Sequence, residues 1–283
     1  MSTRNDRTAI ITGSSKGIGR AIAIGFAQAG FRLVLCAREE KSVRRVADEI
    51  VGIGGTAVAL SCDVSKRQDV QVLVDSAMEA YGRIDILVAN AGVLEPRATV
   101  EKMPLQEWQN ILHINMTGVM LCNQAVLPHM IRQRYGRIQN MGSPLEYTPV
   151  RRLAAYAASK GAVHAFTRVL AAEVSDHNVK VNLHYPGDLR TRINPKGRGE
   201  PEDAVRCALY LASLPDDGPS GRTFMGDEEL VFEAISRKVA NLAPSNSQQD
   251  RQVPIESPSP VRRSDVSKIG SRPWSRFFRR AKR

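Results

Sequence analysis

The amino-acid sequence predicts an α/β fold in which a doubly wound parallel sheet is covered by helices on both faces. Short β-branched or apolar runs alternate with segments of helical periodicity, beginning with a strand at residues 8–11, a helix from Ile18 and a strand at 31–37. About seven strands follow this alternation along the chain. Because a helix separates each strand from the next, the strands are expected to run parallel.

The remaining strand candidates are short apolar runs, each preceded by a helical stretch. They lie at residues 56–61, 84–89, 137–141, 180–184 and 222–225. Two long helices are predicted between them, at about 106–134 and 157–176. In a doubly wound sheet, ligands bind in the crevice outside the carboxyl ends of the strands, so functional residues are expected just after strands.

The chain length of 283 residues and a hydrophobic content of 42% suit one large α/β domain, predicted at residues 1–232, with a C-terminal appendage. The appendage, residues 233–283, contains 12 Lys and Arg against 4 Asp and Glu. It therefore carries most of the net charge of +11. Since the basic character belongs to the appendage, the charge gives no reason to assign the main domain to nucleic-acid binding.

This C-terminal extension is predicted to begin as a short helix and to continue mostly as disordered chain. Residues 227–242 place apolar side chains on one helical stripe, whereas the Ser, Pro, Gln and Arg that follow cannot bury enough apolar area to fold. At the end, Trp274, Phe277 and Phe278 are interleaved with Arg and Lys. A solvated end is the favoured interpretation. Weak contact with a membrane surface is the alternative, and nucleic-acid binding is less favoured than either.

The sequence shows no signal for a membrane span, a secretory leader or a metal site. No apolar run approaches the roughly 20 residues that a membrane-spanning helix needs, and the first residues are polar. The four cysteines are scattered without metal-ligand spacing and are expected to be buried free thiols. A cytoplasmic protein without a bound metal or a disulfide framework is therefore expected.

The first predicted strand runs directly into the glycine-rich sequence TGSSKGIG at residues 12–19, which opens a helix. Glycine lacks a Cβ atom and lets the backbone approach a pyrophosphate group, whose charge is favoured by the N–H groups at the helix start. An ordinary strand-to-helix turn is the alternative, but the strand, turn and helix of a dinucleotide site are all present. The predicted contacts are Gly13, Ser15, Lys16, Gly17, Ile18 and Gly19.

The spacing of three residues between the first two glycines resembles the short-chain dehydrogenase/reductase (SDR) family, and further motifs in the same order strengthen the resemblance. Asn90-Ala91-Gly92 follows the fourth strand, although Ala89 replaces the first asparagine of the family motif. Tyr156-x-x-x-Lys160 matches the catalytic signature of the family, and Ser143 lies 13 residues before the tyrosine. The other matching residues are Asn115, Pro186, Gly187 and Thr191.

This resemblance implies a Rossmann fold and an oxidoreductase that moves a hydride between a nicotinamide and a carbonyl or alcohol carbon. It assigns catalysis to Asn115, Ser143, Tyr156 and Lys160, none of which needs a metal. Ser143 would stabilise charge on the substrate oxygen, Lys160 would also bind the nicotinamide ribose, and Asn115 would hold a water that relays protons. The cofactor contacts that it adds are Asp63, Val64, Asn90, Ala91, Gly92, Tyr156, Lys160, Pro186, Gly187 and Thr191.

Tyr156 is expected to give and take the proton at the substrate oxygen. A free phenol has a pKa of about 10 and is a poor base near neutral pH. Lys160 lies one helical turn away on the same face, so its positive charge is expected to lower the pKa of Tyr156. A surface pair of Tyr and Lys is the alternative interpretation, which the order of the motifs disfavours.

The residues after the second strand favour NADP over NAD. In an NAD-selective site, an acidic side chain at this point binds the ribose hydroxyls and repels a 2′-phosphate. Here Ala37 occupies that place and Arg38 follows it. Arg38 and Lys16 are two cations that can converge on the additional phosphate, unless both are merely solvated surface residues. The acidic neighbours Glu39 and Glu40 are expected to start the next helix.

The predicted substrate is a small carbonyl or alcohol compound, such as a ketone, an aldehyde or a 3-oxoacyl compound, bound near residues 93–100, 145–152 and 188–201. The SDR resemblance also implies a homo-oligomer, a dimer or a tetramer. Two alternatives remain. One is an epimerase or dehydratase of the extended SDR type, and the other is an NADP-binding regulator or scaffold that acts through its basic extension.

Overall fold

Eight strands make up one sheet in the computed structural model, which describes residues 6–230. In chain order they are β1 (Thr8–Thr12), β2 (Arg32–Ala37), β3 (Thr56–Ser61), β4 (Ile86–Ala89), β5 (Gly136–Met141), β6 (Val179–His184), β7 (Thr223–Met225) and β8 (Glu228–Glu229). Their order across the sheet is β3-β2-β1-β4-β5-β6-β7-β8. The first seven strands are parallel, which confirms the predicted doubly wound sheet.

Seven α-helices connect the strands within the described residues. They are α1 (Gly17–Gln28), α2 (Glu40–Gly52), α3 (Arg67–Tyr81), α4 (Leu105–Leu112), α5 (Gly118–Gln133), α6 (Ala154–Glu173) and α7 (Ala204–Ala212). The apolar sides of α1, α2 and α7 pack into one core, and those of α3, α5 and α6 pack into another. Helices therefore cover both faces of the sheet, as predicted. None of the helices within residues 6–230 has the length and apolar character needed to cross a membrane.

A π turn interrupts the long helix that was predicted at 106–134. Helices α4 and α5 are joined by His113–Thr117, in which the hydrogen bond spans five residues instead of four. Asn115 lies in this turn and is completely buried. Since π turns are rare and frequently mark functional sites, the irregularity draws attention to this residue.

The chain after β7 turns back on itself, so residues 227–230 do not form the start of the helix predicted at 227–242. Strands β7 and β8 form an antiparallel hairpin in which Phe224 lies opposite Glu229. Its two-residue loop is Gly226-Asp227, and Gly226 has a φ of 68°. Such loops require a positive φ, which glycine adopts without strain. The rest of the predicted helix and the whole extension from residue 233 lie outside the described residues, so the predicted boundary at residue 232 stays a prediction.

The strand order reverses between β1 and β4, which are neighbours in the sheet although three helices separate them in the chain. Gly13 follows the carboxyl end of β1, and Asn90 follows the carboxyl end of β4. A crevice opens where the connections leave such a pair of strands in opposite directions. The glycine-rich turn and the segment after β4 therefore face each other across the predicted binding crevice.

His184, on β6, is completely buried, and neither of its ring nitrogens has a hydrogen-bond partner within the described residues. Burial disfavours the charged imidazole and lowers the pKa of His184 from 6.5 to about 3. Between these pH values, the unfolded chain binds a proton that the folded chain does not bind. The folded state therefore loses stability as the pH falls from 6.5 towards 3, by about 1.4 kcal/mol per pH unit.

We expect His184→Leu to remove this sensitivity to acid. Compared with wild type, the variant should gain more free energy of unfolding at about pH 5 than at about pH 8, because the proton-binding penalty acts only below the ordinary pKa of histidine. Urea unfolding across this range measures the difference. The exposed His113 provides the control substitution His113→Leu. A difference between His184→Leu and wild type that does not change with pH would contradict the prediction.

Candidate active site

The turn between β1 and α1 leaves no room for side chains at two of its glycines. Gly13 has a φ of 66°, and a Cβ atom on it would lie 2.9 Å from the Cα atom of Ala91. A Cβ atom on Gly19 would lie 2.4 Å from the carbonyl oxygen of Gly13. The glycines therefore allow the turn, the start of α1 and the segment after β4 to be in direct backbone contact.

Hydrogen bonds between β1 and the segment after β4 fix this turn. The Nδ2 atom of Asn90 donates to the carbonyl oxygens of Thr12 and Gly13, at 2.8 and 3.2 Å. In the other direction, the hydroxyl oxygen of Thr12 accepts the N–H groups of Asn90 and Ala91, at 3.1 and 3.0 Å. The structure thus brings two widely separated sequence motifs, the glycine-rich turn and Asn90-Ala91-Gly92, into one site.

A cavity of about 320 Å³ opens at this edge of the sheet. The predicted cofactor contacts that line it are Gly13, Ser15, Lys16, Gly17, Ile18, Gly19, Arg38, Asp63, Val64, Asn90, Ala91, Gly92 and Thr191. The other lining residues are not among the predicted cofactor contacts, although three of them lie in the segments predicted for the substrate. They are Ala37, Glu39, Cys62, Val93, Ile114, Arg192 and Ile193. Most of these follow the same strand ends, so their neighbours in the sequence are the signal that could have identified them.

The cavity fits the adenosine and phosphate parts of a dinucleotide. A Cβ atom on Gly17, the first residue of α1, would meet only the side chain of Thr191, at 3.6 Å, so the backbone of Gly17 faces open space. The free N–H groups at the start of a helix bind phosphate oxygens. Lys16 and Arg38 add positive charge to the lining. The residues present therefore fit a nicotinamide dinucleotide.

Basic and acidic side chains meet where β2 and β3 end. Burial alone would raise the pKa of Asp63, but hydrogen bonds from Ser65 and the charges of Lys66 and Arg38 hold it below its usual value. Glu39 is the N-cap of α2 and Glu40 its first residue, which confirms that the two start this helix, and Glu39 also lines the cavity. The part of the cavity beside Arg38 therefore carries charges of both signs.

Asn115 clamps the segment after β4 to helix α6. Its Oδ1 atom accepts the N–H of Val93 at 2.7 Å, and its Nδ2 atom donates to the carbonyl oxygen of Val93 at 2.7 Å and to Ser159 Oγ at 3.0 Å. Ser159 in turn donates to the carbonyl oxygen of Tyr156 at 2.7 Å. Both amide hydrogens of Asn115 are used within the protein. The expected role of Asn115 as the holder of a relay water stays a prediction.

Ser143 and Tyr156 meet beyond the carboxyl end of β5, where the Ser143 hydroxyl is close enough to act on the phenol. Ser143 opens a short 3-10 helix, Pro144–Glu146, whereas Tyr156 lies in the first turn of α6. Burial raises the pKa of Tyr156, the Ser143 hydroxyl opposes this rise, and the charge of Glu146 adds to it. The net effect is a raised pKa, which differs from the lowering that the spacing of Tyr156 and Lys160 predicts.

The position of the Lys160 ammonium explains this difference. Its Nζ atom donates to the carbonyl oxygen of Met141 on β5, at 2.8 Å, and lies 5.7 Å from the centroid of the Tyr156 ring. Burial also lowers the pKa of Lys160 to about 8, against the opposing effect of Glu146. The lysine is therefore on the expected face of α6, but its charge is directed at the backbone of the sheet and does not outweigh the burial of the phenol.

The predicted contacts Tyr156, Lys160, Pro186 and Gly187 do not line the cavity, but they lie at the same edge of the sheet. Pro186 and Gly187 follow β6, which pairs with β5 up to its last residue. Asn115 connects Val93, which lines the cavity, to α6 through Ser159. The structure thus places the four predicted catalytic residues together, next to the end of the cavity at Val93.

One buried carboxylate in this region was not identified from the sequence. The side chain of Glu146 is only 2% exposed, and its Oε1 atom accepts hydrogen bonds from the hydroxyl of Tyr185 and from Nδ1 of His164. These partners lie 39 and 18 residues further along the chain. No periodicity or motif marks the residue, because its environment is created entirely by long-range packing.

The family model described as short chain dehydrogenase matches residues 7–201. Two curated relatives are similar over nearly their whole length. The 3beta-hydroxysteroid dehydrogenase 1 of Eggerthella lenta is 36% identical over 80% of this chain and 94% of its own. The 3-oxoacyl-[acyl-carrier-protein] reductase of Synechocystis is 32% identical over 82% of this chain and 100% of its own.

A solved structure shows the same architecture. The crystal structure of a metagenomic short-chain oxidoreductase in complex with NADP superposes with a TM-score of 0.70 and 33% sequence identity. The match covers 78% of this chain and 96% of that chain. The similarity therefore extends over most of this chain and nearly all of that one.

Proposed function

The chain belongs to the short chain dehydrogenase family, whose members are oxidoreductases of hydroxyl and carbonyl groups, and on this premise we propose that it reduces a carbonyl compound with NADPH. The proposed substrate is a ketone, an aldehyde or a 3-oxoacyl compound. One observation carries the proposal. Tyr156 lies within reach of the Ser143 hydroxyl and beside the buried Lys160, at the sheet edge that also opens the dinucleotide cavity.

In the proposed mechanism, Tyr156 donates its hydroxyl proton to the carbonyl oxygen of the substrate. When bound, the nicotinamide supplies the hydride for the carbonyl carbon. The phenol of Tyr156 is protonated near neutral pH, as a proton donor must be, because burial raises its pKa above an ordinary value of about 10. Ser143 would donate a hydrogen bond to the same substrate oxygen and stabilise the negative charge that develops there.

Lys160 and Asn115 would support this proton transfer. The ammonium of Lys160 would stabilise the phenolate that is left on Tyr156, and it would donate a hydrogen bond to the cofactor ribose. With a pKa of about 8, Lys160 can lose its own proton in the physiological range, which suits a group that returns a proton to Tyr156. Asn115 would hold the segment after β4 in place against α6.

The proposed preference for NADP rests on Arg38 and Lys16, which line the cavity where an acidic selector is missing at Ala37. A 2′-phosphate bound there would receive charge-assisted hydrogen bonds from both side chains. The NADP complex of the metagenomic relative is consistent with this preference. Glu39 opposes the preference, because its carboxylate faces the same cavity.

We also propose that the protein forms a homo-oligomer through its long helices. Leu105 on α4 and Val169 on α6 are 70% and 58% exposed, so these helices present apolar side chains that a second copy could cover. The alternative function, an NADP-binding regulator or scaffold, depends on the basic extension at 233–283. That segment lies outside the described residues.

A substrate panel tests the proposed function. The full chain is incubated with NADPH or NADH and with ketones, quinones, 3-oxoacyl thioesters or sugars, while the absorbance of the reduced nicotinamide is followed. We expect turnover with at least one class of carbonyl compound and a higher kcat/KM with NADPH than with NADH. Tight NADPH binding without turnover on any member of the panel would favour the regulator.

A further inference from the structure

Glu146 occupies the centre of a buried polar cluster that joins three segments of the candidate active site. We define the Glu146 cluster as Glu146, Tyr147, His164 and Tyr185. The Oε1 atom of Glu146 accepts hydrogen bonds from the Tyr185 hydroxyl and from His164 Nδ1, and the Tyr147 hydroxyl lies 2.6 Å from the same nitrogen. The cluster therefore links the turn after Ser143, helix α6 and the end of β6.

The carboxylate of Glu146 is rigidly held and poorly neutralised. Its Oε2 atom is buried without a hydrogen-bond partner, and in the described part of the chain no Lys or Arg forms an ion pair with it. The ring of Tyr185 packs so closely against Gly142 that a Cβ atom there would lie 2.3 Å from Cε1 of the ring. Burying an incompletely paired carboxylate costs folding free energy. Its presence beside the reacting groups therefore indicates a functional role.

The spacing of residues along α6 places this carboxylate on the side of the helix that carries the reacting groups. Tyr156, Lys160 and His164 follow one another at intervals of one helical turn, and His164 is bonded to Glu146. A negative charge in this place opposes ionisation of the phenol and favours the charged form of the lysine. It accordingly raises the pKa of Tyr156 and opposes the lowering of the pKa of Lys160 that burial causes.

The other groups around the cluster do not cancel this charge. Burial raises the pKa of Tyr147 to about 12 and also raises that of Tyr185, so both phenols are neutral at physiological pH. Arg168, one further turn along α6, acts on Tyr147 and is exposed. His164 forms an ion pair with Glu146 only in its protonated form, and the buried ammonium of Lys160 interacts with Glu146 without forming an ion pair.

We propose that Glu146 is a positioning residue whose hydrogen bonds fix the Ser143 turn against α6 and β6, and whose buried charge opposes formation of the Tyr156 phenolate. This inference rests on the proposed function of Tyr156. Alcohol oxidation needs the phenolate of Tyr156, whereas carbonyl reduction needs the phenol. Removal of the Glu146 charge should therefore make the phenolate available to alcohol oxidation at lower pH.

The kinetic test compares variants that separate the charge of Glu146 from its shape. Glu146→Gln and Glu146→Met are neutral side chains of similar length, and one of them suffices if the other does not fold. We expect the pH profile of alcohol oxidation to shift to lower pH, so that its kcat at about pH 8 rises about fivefold or more, because a unit charge near the phenol is lost. Glu146→Asp keeps the charge and should keep the pH profile of wild type, even where its kcat is lower.

Glu101→Gln provides the matched control, because it removes the same charge from a side chain that is 74% exposed. It should leave the pH profile unchanged, since exposed charges are screened by solvent. An unchanged pH profile in the neutral Glu146 variants would overturn the proposal. If the pH profile of Glu146→Asp shifted as far as that of Glu146→Gln, the proposal would also be overturned. The shape of the side chain, and not its charge, would then be responsible for the shift.

A spectroscopic titration tests the same inference without a substrate. The tyrosinate absorbance of Tyr156 is isolated by subtracting the titration of Tyr156→Phe from that of wild type, and the same subtraction is made in the Glu146→Gln background. We expect Tyr156 to ionise at lower pH in Glu146→Gln, and ionisation at the same pH would overturn the role of Glu146. If the titration shifts but no carbonyl compound is turned over, the proposed function fails and the effect of Glu146 on Tyr156 stands.

Discussion

Tyr156→Phe is expected to lower the kcat of carbonyl reduction by about 10²–10⁴-fold, the range for loss of a general acid, while the affinity for NADPH stays unchanged. The substitution removes only the hydroxyl that lies within reach of Ser143 and keeps the ring within the first turn of α6. The dinucleotide cavity is lined by other residues, so the larger part of the cofactor contacts is retained. Steady-state kinetics and quenching of protein fluorescence by NADPH measure the two effects separately.

Tyr210→Phe is the matched control, because it removes the same atom from a tyrosine on α7 that is 36% exposed. It should retain the activity of wild type. Unaltered turnover in Tyr156→Phe would contradict the assignment of Tyr156 as the proton donor. A parallel loss of NADPH affinity would instead show that the hydroxyl positions the cofactor.

The sheet and its binding edge could be predicted because they depend on local patterns. All five residues of β1 are buried, as an apolar strand in the middle of a parallel sheet requires, and the glycine-rich turn at 12–19 is contiguous in the sequence. Strand β8 could not be predicted from periodicity, because Glu228 and Glu229 are both exposed and do not alternate with apolar residues. The only local signal for the hairpin is the dipeptide Gly226-Asp227.

The electrostatics of the site could not be predicted, because they depend on contacts between distant segments. The spacing of Tyr156 and Lys160 fixes the helical face on which both lie, but it does not fix where the ammonium points. That direction is set by the carbonyl oxygen of Met141 on β5. Likewise, the charge next to Tyr156 comes from Glu146, whose burial requires partners from α6 and from the end of β6.

The combined substitution of Ala37→Asp and Arg38→Ser is expected to reverse the cofactor preference from NADPH to NADH. Loss of one charge-assisted hydrogen bond to the 2′-phosphate costs about 1.5–3 kcal/mol, which is roughly 10- to 150-fold in affinity. The new carboxylate would repel the phosphate and accept hydrogen bonds from the ribose hydroxyls of NADH. Values of kcat/KM for the two cofactors, measured with one substrate of the panel, give the change in preference.

Substitutions of Glu39 and Lys66 provide two further tests of the predicted cofactor preference. Glu39 lines the cavity and repels a 2′-phosphate, so Glu39→Gln should increase the preference for NADPH, opposite to the effect of the double substitution. Lys66 acts on Asp63 but does not line the cavity, so Lys66→Ser removes a nearby positive charge without removing a contact. It should leave the preference nearly unchanged. A wild type that already uses NADH better than NADPH would refute the electrostatic argument, because Arg38 and Lys16 would then have no phosphate to bind.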